Sequence, residues 1–254
     1  MEEKINKVVE LYKEKTKKDC YKITMLEEEP AILDDKIGGK PYLPIGEEYP
    51  KDKNGNNMAL LLQVSLANVD LEGYPNKGIL EIFTDFKVDW PCQFTVKYFE
   101  EGLDYQKDLP DIDLSNYIIS MPHKIKLEKT IDYMPVNDYR FLKTILPIVN
   151  EIYNVNLKHS IDLSDHFGDI YIEDIIQDNT QYNPITIGGY ANFTQQDPRH
   201  NMKENKEECL FKLDSWADYN NIRLGDSGIL FALISKEDIE NCNFENAFVD
   251  WDSC

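Results

Sequence analysis

Ile187-Gly188-Gly189-Tyr190-Ala191-Asn192-Phe193-Thr194-Gln195-Gln196-Asp197-Pro198-Arg199 is the stretch on which the fold turns, because a similar stretch precedes it. Ile37-Gly38-Gly39-Lys40-Pro41-Tyr42-Leu43-Pro44 opens an earlier segment in the same way. From Gly39 to Gly78 the chain advances 39 residues, and from Gly189 to Gly228 it again advances 39. The later glycines begin Gly78-Ile79-Leu80-Glu81-Ile82-Phe83 and Gly228-Ile229-Leu230-Phe231-Ala232-Leu233. Between them, Leu60-Leu61-Leu62-Gln63-Val64 and Leu210-Phe211-Lys212-Leu213-Asp214 fall within one residue of the same offset. Any β-rich chain offers Gly-Ile-Leu strand starts, which accounts for one match. Three matches at nearly one spacing indicate a duplicated unit, although two copies are too few for a solenoid. The expected fold is α+β and predominantly β, with two similar β-rich halves from an internal duplication and an N-terminal helix.

The chain has 254 residues, enough for one single compact domain with a substantial core. No apolar run approaches the roughly 20 residues that span a bilayer, and Met1-Glu2-Glu3-Lys4 lacks the apolar core of a signal peptide. The expected compartment is the cytoplasm of a bacterium. Cys20, Cys92, Cys209, Cys242 and Cys254 are odd in number and scattered, which fits neither a disulfide framework nor a zinc site. A net charge of −20 repels nucleic-acid phosphates and anionic membranes and favours cationic partners or divalent metals. The same acidity also serves plain solubility.

In chain order, Ile5, Val8, Val9 and Tyr12 lie at helical spacing, so residues 1–20 are expected as an N-terminal helix. A first β-rich repeat spans 36–100, with strands expected at Met58–Val64, Ile79–Phe83 and Gln93–Phe99. Residues 101–180 read as a connecting region with one strand near Tyr117–Met121 and a helix near 137–153. Asn137 is its expected N-cap, and Pro147 is expected to kink or split it. Ser164 to Asp178 reads as an acidic connection. The second repeat, 185–254, offers strands at Cys209–Leu213, Gly228–Ser235 and Phe244–Trp251, with a short helical turn at Lys236-Glu237-Asp238. Asp89-Trp90 and Asp250-Trp251 close the two halves alike.

The second Gly-Gly element, Phe193-Thr194-Gln195, Asp197-Pro198-Arg199, Gly225-Asp226-Ser227-Gly228 and Val249-Asp250-Trp251-Asp252-Ser253-Cys254 resemble the bacterial family of unknown function typified by YwqG. Gly38-Gly39-x-Pro41-Tyr42-x-Pro44 and Leu60-Leu61-Leu62-Gln63 are similar to its amino-terminal signature. The resemblance covers most of the chain from about residue 36. It implies an α+β, mostly β fold and no established activity. Lys212 departs from the glutamine that the family usually shows in its second half.

Candidate site residues each carry two readings. Gln195, Asp197 and Arg199 form the densest polar cluster near a glycine pair, where the arginine would grip a carboxylate or phosphate. Alternatively, Asp197-Pro198-Arg199 is a turn whose aspartate caps local backbone and whose arginine pairs with a neighbouring acid. Gly225-Asp226-Ser227-Gly228 resembles a protease nucleophile loop, but Ile229 stands where a further glycine is needed, and His123, His159, His166 and His200 lie in no supporting motif. His159, Asp162, Asp165, His166 and Asp169 cluster without any metal-binding pattern. No catalytic residue, metal or cofactor is assigned.

The leading expectation is a non-catalytic cytoplasmic binding protein whose acidic surface takes a basic protein partner, its specific version being an immunity-like toxin neutraliser. Neither nucleic acid nor membrane is expected as a partner. The alternative is a small-molecule-binding protein or enzyme with a site between the two repeats, where Gln63, Gln195, Arg199 and Asp226 converge.

Overall fold

Ile5, Val8, Val9 and Tyr12 form one stripe of α1 (Glu2–Thr16) and are all buried. The structure is a computed structural model that describes residues 2–85, 92–218 and 220–253. The α1 stripe packs on α2 (Phe141–Tyr153). There the Tyr12 ring lies 5.8 Å from that of Phe141, and the Tyr12 hydroxyl donates to the Met134 carbonyl at 2.9 Å. The α2 helix starts later than Asn137 and runs through Pro147 as one element. A proline there forfeits one backbone bond, but Phe141, Ile145, Leu146, Ile148 and Val149 are all buried and offset that loss by packing.

Two short helices, α3 (Ser160–Phe167) and α4 (Ile172–Asn179), replace the expected acidic connection. Each buries only two residues, Leu163 and Phe167, then Ile172 and Ile176, too few to stand out as a helical stripe among the acids of the segment. Asp162, one of the clustered acids noted above, accepts from the Lys158 and His159 amides at 2.8 and 3.0 Å and so caps the start of α3. Among the described residues, no three His, Cys, Asp or Glu side chains converge as a metal site. No described helix is long and apolar enough to cross a membrane.

The strands are β1 (Lys18–Met25), β2 (Lys36–Ile37), β3 (Ala59–Ser65), β4 (Ile79–Thr84), β5 (Phe94–Phe99), β6 (His123–Asp132), β7 (Ile185–Gly188), β8 (Glu208–Asp214), β9 (Ile229–Ile234) and β10 (Phe248–Asp252). They form one antiparallel sheet in the order β10-β9-β8-β7-β1-β6-β2-β3-β4-β5. The central pair, β1 with β6, runs in register from Lys18 opposite Asp132 to Met25 opposite Ile125. One wing, β2 to β5, extends from β6, and the other, β7 to β10, extends from β1. Both wings carry a bulge in their second strand, at Leu60/Leu62 and at Cys209/Phe211. The expected strand near Tyr117–Met121 is a single bridge, Ile119 to Ile222. Lys236–Glu240 forms a short helix, α5. The Asp89-Trp90 end of the first repeat lies outside the described residues.

The sheet curls into a nearly closed barrel. Edge strands β5 and β10 face each other across a groove lined by Phe94 to Lys97 and Ala247 to Val249, and Tyr98 stacks on Phe244 with ring centroids 5.2 Å apart. Leu62, Val64, Leu80 and Ile82 from one wing meet Ile187, Leu213, Leu230, Ala232 and Ile234 from the other in a single interior core. Alternation then turns Gln63 and Glu81 outward in the first wing, and Lys212 opposite Phe231 outward in the second. Layers of loop and helix bury these outward faces too, which is why β3, β4, β8 and β9 read as nearly continuous apolar runs.

In the first wing the outward polar groups are spent on the backbone. Lys36 Nζ donates to the carbonyls of Ala31 and Ile32 at 2.9 and 2.7 Å, and Gln63 Nε2 donates to those of Ile32 and Asp34 at 2.7 and 3.0 Å. Gln63 Oε1 and Glu81 Oε1 both accept from the Tyr42 amide, at 2.7 and 2.8 Å. Glu81 Oε2 is buried without a hydrogen-bond partner. Burial lowers the Lys36 ammonium to about 8 against the pull of Glu81, and burial raises the Glu81 carboxyl well above the usual carboxylate range. A carboxyl raised on folding gives its full stability below the unfolded value of about 4.3 and loses it as pH rises toward the folded value. Glu81→Gln cannot ionise. Its stability in urea unfolding should therefore gain on the parent from about pH 4 upward, by at most about 1.4 kcal/mol per pH unit. A difference that stays flat from acid to neutral pH would show Glu81 to be ordinarily ionised.

Candidate functional site

Gly188 and Gly189 both adopt φ of +73°, where a side chain is strained. A Cβ on Gly189 would stand 2.6 Å from Asp132 Oδ2 and 3.0 Å from Cys20 Cβ. The second glycine pair thus leaves room for a carboxylate. Asp132, the last residue of β6, lies over Gly189 and accepts from the Tyr190 amide at 3.0 Å. The first pair serves a different neighbour, with Pro122 atoms 3.3 Å from a Cβ at either Gly38 or Gly39.

Asp132 faces Lys212 across the outer surface of the second wing. The lysine is 2% exposed, with Nζ 3.8 Å from Asp132 Oδ2 and 4.9 Å from the centre of the Tyr182 ring. That gap to Asp132 is too long for a hydrogen bond, and among the described residues Lys212 Nζ donates none. Tyr182 donates its hydroxyl to Asp214, which also accepts from the Trp216 amide at 2.8 Å. Asn192 Oδ1 accepts from Asn137 Nδ2 and from the Phe193 amide. Asp132, Tyr182, Tyr190, Asn192, Lys212 and Trp216 line one cavity of about 730 Å³. Its remaining walls come from residues 133–137 after β6, from the last turn of α4 and the segment to Pro184, and from Phe193 and Asp214. The cavity therefore sits within the second wing and its cover, between sheet and helices.

Behind Tyr190 lies a compact ionic network. Arg199 Nη2 donates to Asp138 and Asp197 at 2.9 and 2.7 Å, its Nε to Asp197 at 2.9 Å, and its Nη1 to the Glu207 carbonyl at 3.3 Å. Arg140 binds the other face of Asp138 through Nε and Nη2, at 2.8 and 2.7 Å. Its guanidinium lies 5.4 Å from the Tyr190 ring centre, and that of Arg199 lies 4.8 Å from Tyr139. Burial raises the Asp138 carboxyl, but hydrogen bonds from Arg140 and the charge of Arg199 outweigh it and hold the group below its ordinary value.

Of the residues singled out from sequence, Asp197 and Arg199 come together, buried in this network. Asp197 also accepts from the Tyr139 and Arg199 amides, so the pair closes the turn before the 3₁₀ segment Pro198–His200. Gln195 is exposed and donates to the Ser253 carbonyl at 2.8 Å. Gln63 is committed to the first wing, and Asp226 is exposed on a turn. Gln63, Gln195, Arg199 and Asp226 share no hydrogen-bond partner among the described residues. Lys212 was marked in the sequence only as a departure from a family pattern. Asp132, Tyr182 and Asp214 had no signal beyond their types, because each reaches the cavity from a different element.

Arg199 holds two buried carboxylates, so its removal leaves both without their shared cation. Arg199→Met should destabilise the fold by about 3–5 kcal/mol, as seen for one partner lost from a buried ion pair. Arg199→Lys should restore only part of this, since an ammonium cannot reproduce the fork. Chemical denaturation at neutral pH measures both, and an Arg199→Met loss below about 1 kcal/mol would contradict a structural role for the network.

No curated protein matches the chain. The domain of unknown function DUF1963 matches residues 35–254, which takes in both wings, Asp132 and the whole lining of the cavity. With that match covering all of the chain but α1, β1 and the segment up to β2, the protein belongs to the DUF1963 family.

Proposed function

We propose that the protein binds a small molecule in the Lys212 cavity. One observation carries the proposal: Lys212, 2% exposed as a residue, faces a cavity of about 730 Å³ with Asp132 at 3.8 Å as its ion partner and no hydrogen bond from its Nζ among the described residues. Buried polar groups are nearly always paired, and a buried charge far more so. The volume suits a ligand of ordinary metabolite size, and the mixed aromatic and polar lining is typical of such sites. The reading is of a binding protein without assigned catalysis. It moves the site from between the halves into the second one. We further propose that the matching bulges and registers of the two wings descend from a duplication, that the family likeness extends to the YwqG group, and that the chain acts in the bacterial cytoplasm.

The net charge of −20 favours a second proposal, a cationic protein partner held on the acidic surface, in the manner of an immunity protein. Glu27, Glu28 and Glu29 are exposed in one run and join no ion pair among the described residues, as such a surface needs. Binding to a basic protein encoded beside this chain should then weaken steeply with added salt.

Saturation-transfer NMR with a mixed small-fragment library tests the first proposal. Parent protein should give hits that Lys212→Met loses while its circular dichroism and melting temperature show an intact fold. Hits retained in a folded Lys212→Met protein would overturn it.

A further inference from the structure

The charges and spacing around Lys212 narrow the ligand's chemistry, given that the cavity is a binding site. We infer that it takes a neutral, polyhydroxylated molecule, such as a sugar or cyclitol. The first ground is the 3.8 Å between Lys212 Nζ and Asp132 Oδ2. A hydroxyl both donates and accepts, so one ligand hydroxyl seated beside that gap accepts from the ammonium and donates to the carboxylate. A ligand carboxylate or phosphate satisfies the lysine but stands against Asp132. A ligand ammonium satisfies Asp132 but stands against Lys212. Both clashes occur among groups that are 2–4% exposed, where water screens them little.

The second ground is the wider charge balance. Lys212 is the only cation lining the cavity among the described residues, against Asp132, Asp178 and Asp214. The Arg140 and Arg199 guanidinium groups do not offset this, because their own carboxylates already neutralise them. An anionic ligand therefore enters against the net field, and a cationic one ends on a lysine.

The third ground is the rim. Tyr182 and Trp216 are 45 and 66% exposed, and both line the cavity. Sugar rings carry apolar C–H faces between their hydroxyls, and such faces pack on aromatic rings. Asn192, held through its Oδ1 by Asn137, adds an amide to the wall.

The test uses the full chain and follows tryptophan fluorescence and ligand-observed NMR. The probes are glucose, N-acetylglucosamine, maltose and myo-inositol, each neutral, beside glucose 6-phosphate and glucosamine. At least one neutral probe should bind saturably, with each charged probe roughly tenfold weaker or worse. Lys212→Gln and Asp132→Asn should each weaken that binding by about tenfold or more. Lys212→Gln places at this position the residue type that the first wing carries as Gln63, so the fold has a tolerated precedent for it. Neutral-probe binding unchanged in both folded variants would overturn the assignment, as would tighter binding of a charged probe than of every neutral one. If fragment hits depend on Lys212 but no neutral probe binds, the sugar inference falls and the small-molecule reading stands. If neither fragments nor sugars bind, both fall.

Discussion

Pairing of β1 with β6 is the constraint on which the rest of the structure depends. The two strands are far apart in the chain, yet each supports one wing of the sheet on its outer side. Their register also ends with Asp132 opposite Lys18, beside β7. From there the carboxylate reaches over Gly189 and faces Lys212, three strands away. A slip by one residue would turn Asp132 to the opposite face and take Ile23 and Ile125 out of the interior core. The backbone ladder at the centre of the barrel therefore fixes the electrostatics of a cavity on its outside.

The two wings resolve the same geometric problem differently. Each turns polar side chains away from the barrel interior, toward a layer of covering chain. In the first wing that cover is the segment before β2, whose carbonyls absorb Lys36 and Gln63. In the second wing the connection between β6 and β7 is much longer and carries three helices, so the chain arches away from β8. Lys212 then meets the Tyr182 ring and a carboxylate at a distance in place of backbone acceptors. Length of connection, more than composition of the strand, decides which wing leaves its outward lysine facing a cavity.

Much of the architecture was legible in the sequence. The strands that became β3, β4, β8 and β9 are buried on both faces, and burial on both faces writes a continuous apolar run. The central strands were missed for the opposite reason. In β6, Ile125 and Leu127 alternate with Lys124, Lys126 and Glu128, so a single apolar face is hidden among charges. The helices α3 and α4 were missed because each anchors itself with two residues. At the cavity, sequence order carried even less. Asp132, Tyr182 and Lys212 are brought together by strand order and by the glycine at 189, and no local spacing encodes either.

The groove between β5 and β10 has a consequence for how the protein keeps company with copies of itself. Sheet edges are templates for other chains, and proteins usually guard them with charge, proline or bulges. Here the two edges confront one another, and the Tyr98 ring lies tilted against Phe244 of the turn that leads into β10. Each edge blocks the approach of a foreign strand to the other. Curvature of the barrel thus acts as a mutual shield, and its effectiveness rests on contacts between two segments from opposite ends of the sheet. Loosening that seam would expose two templates at once.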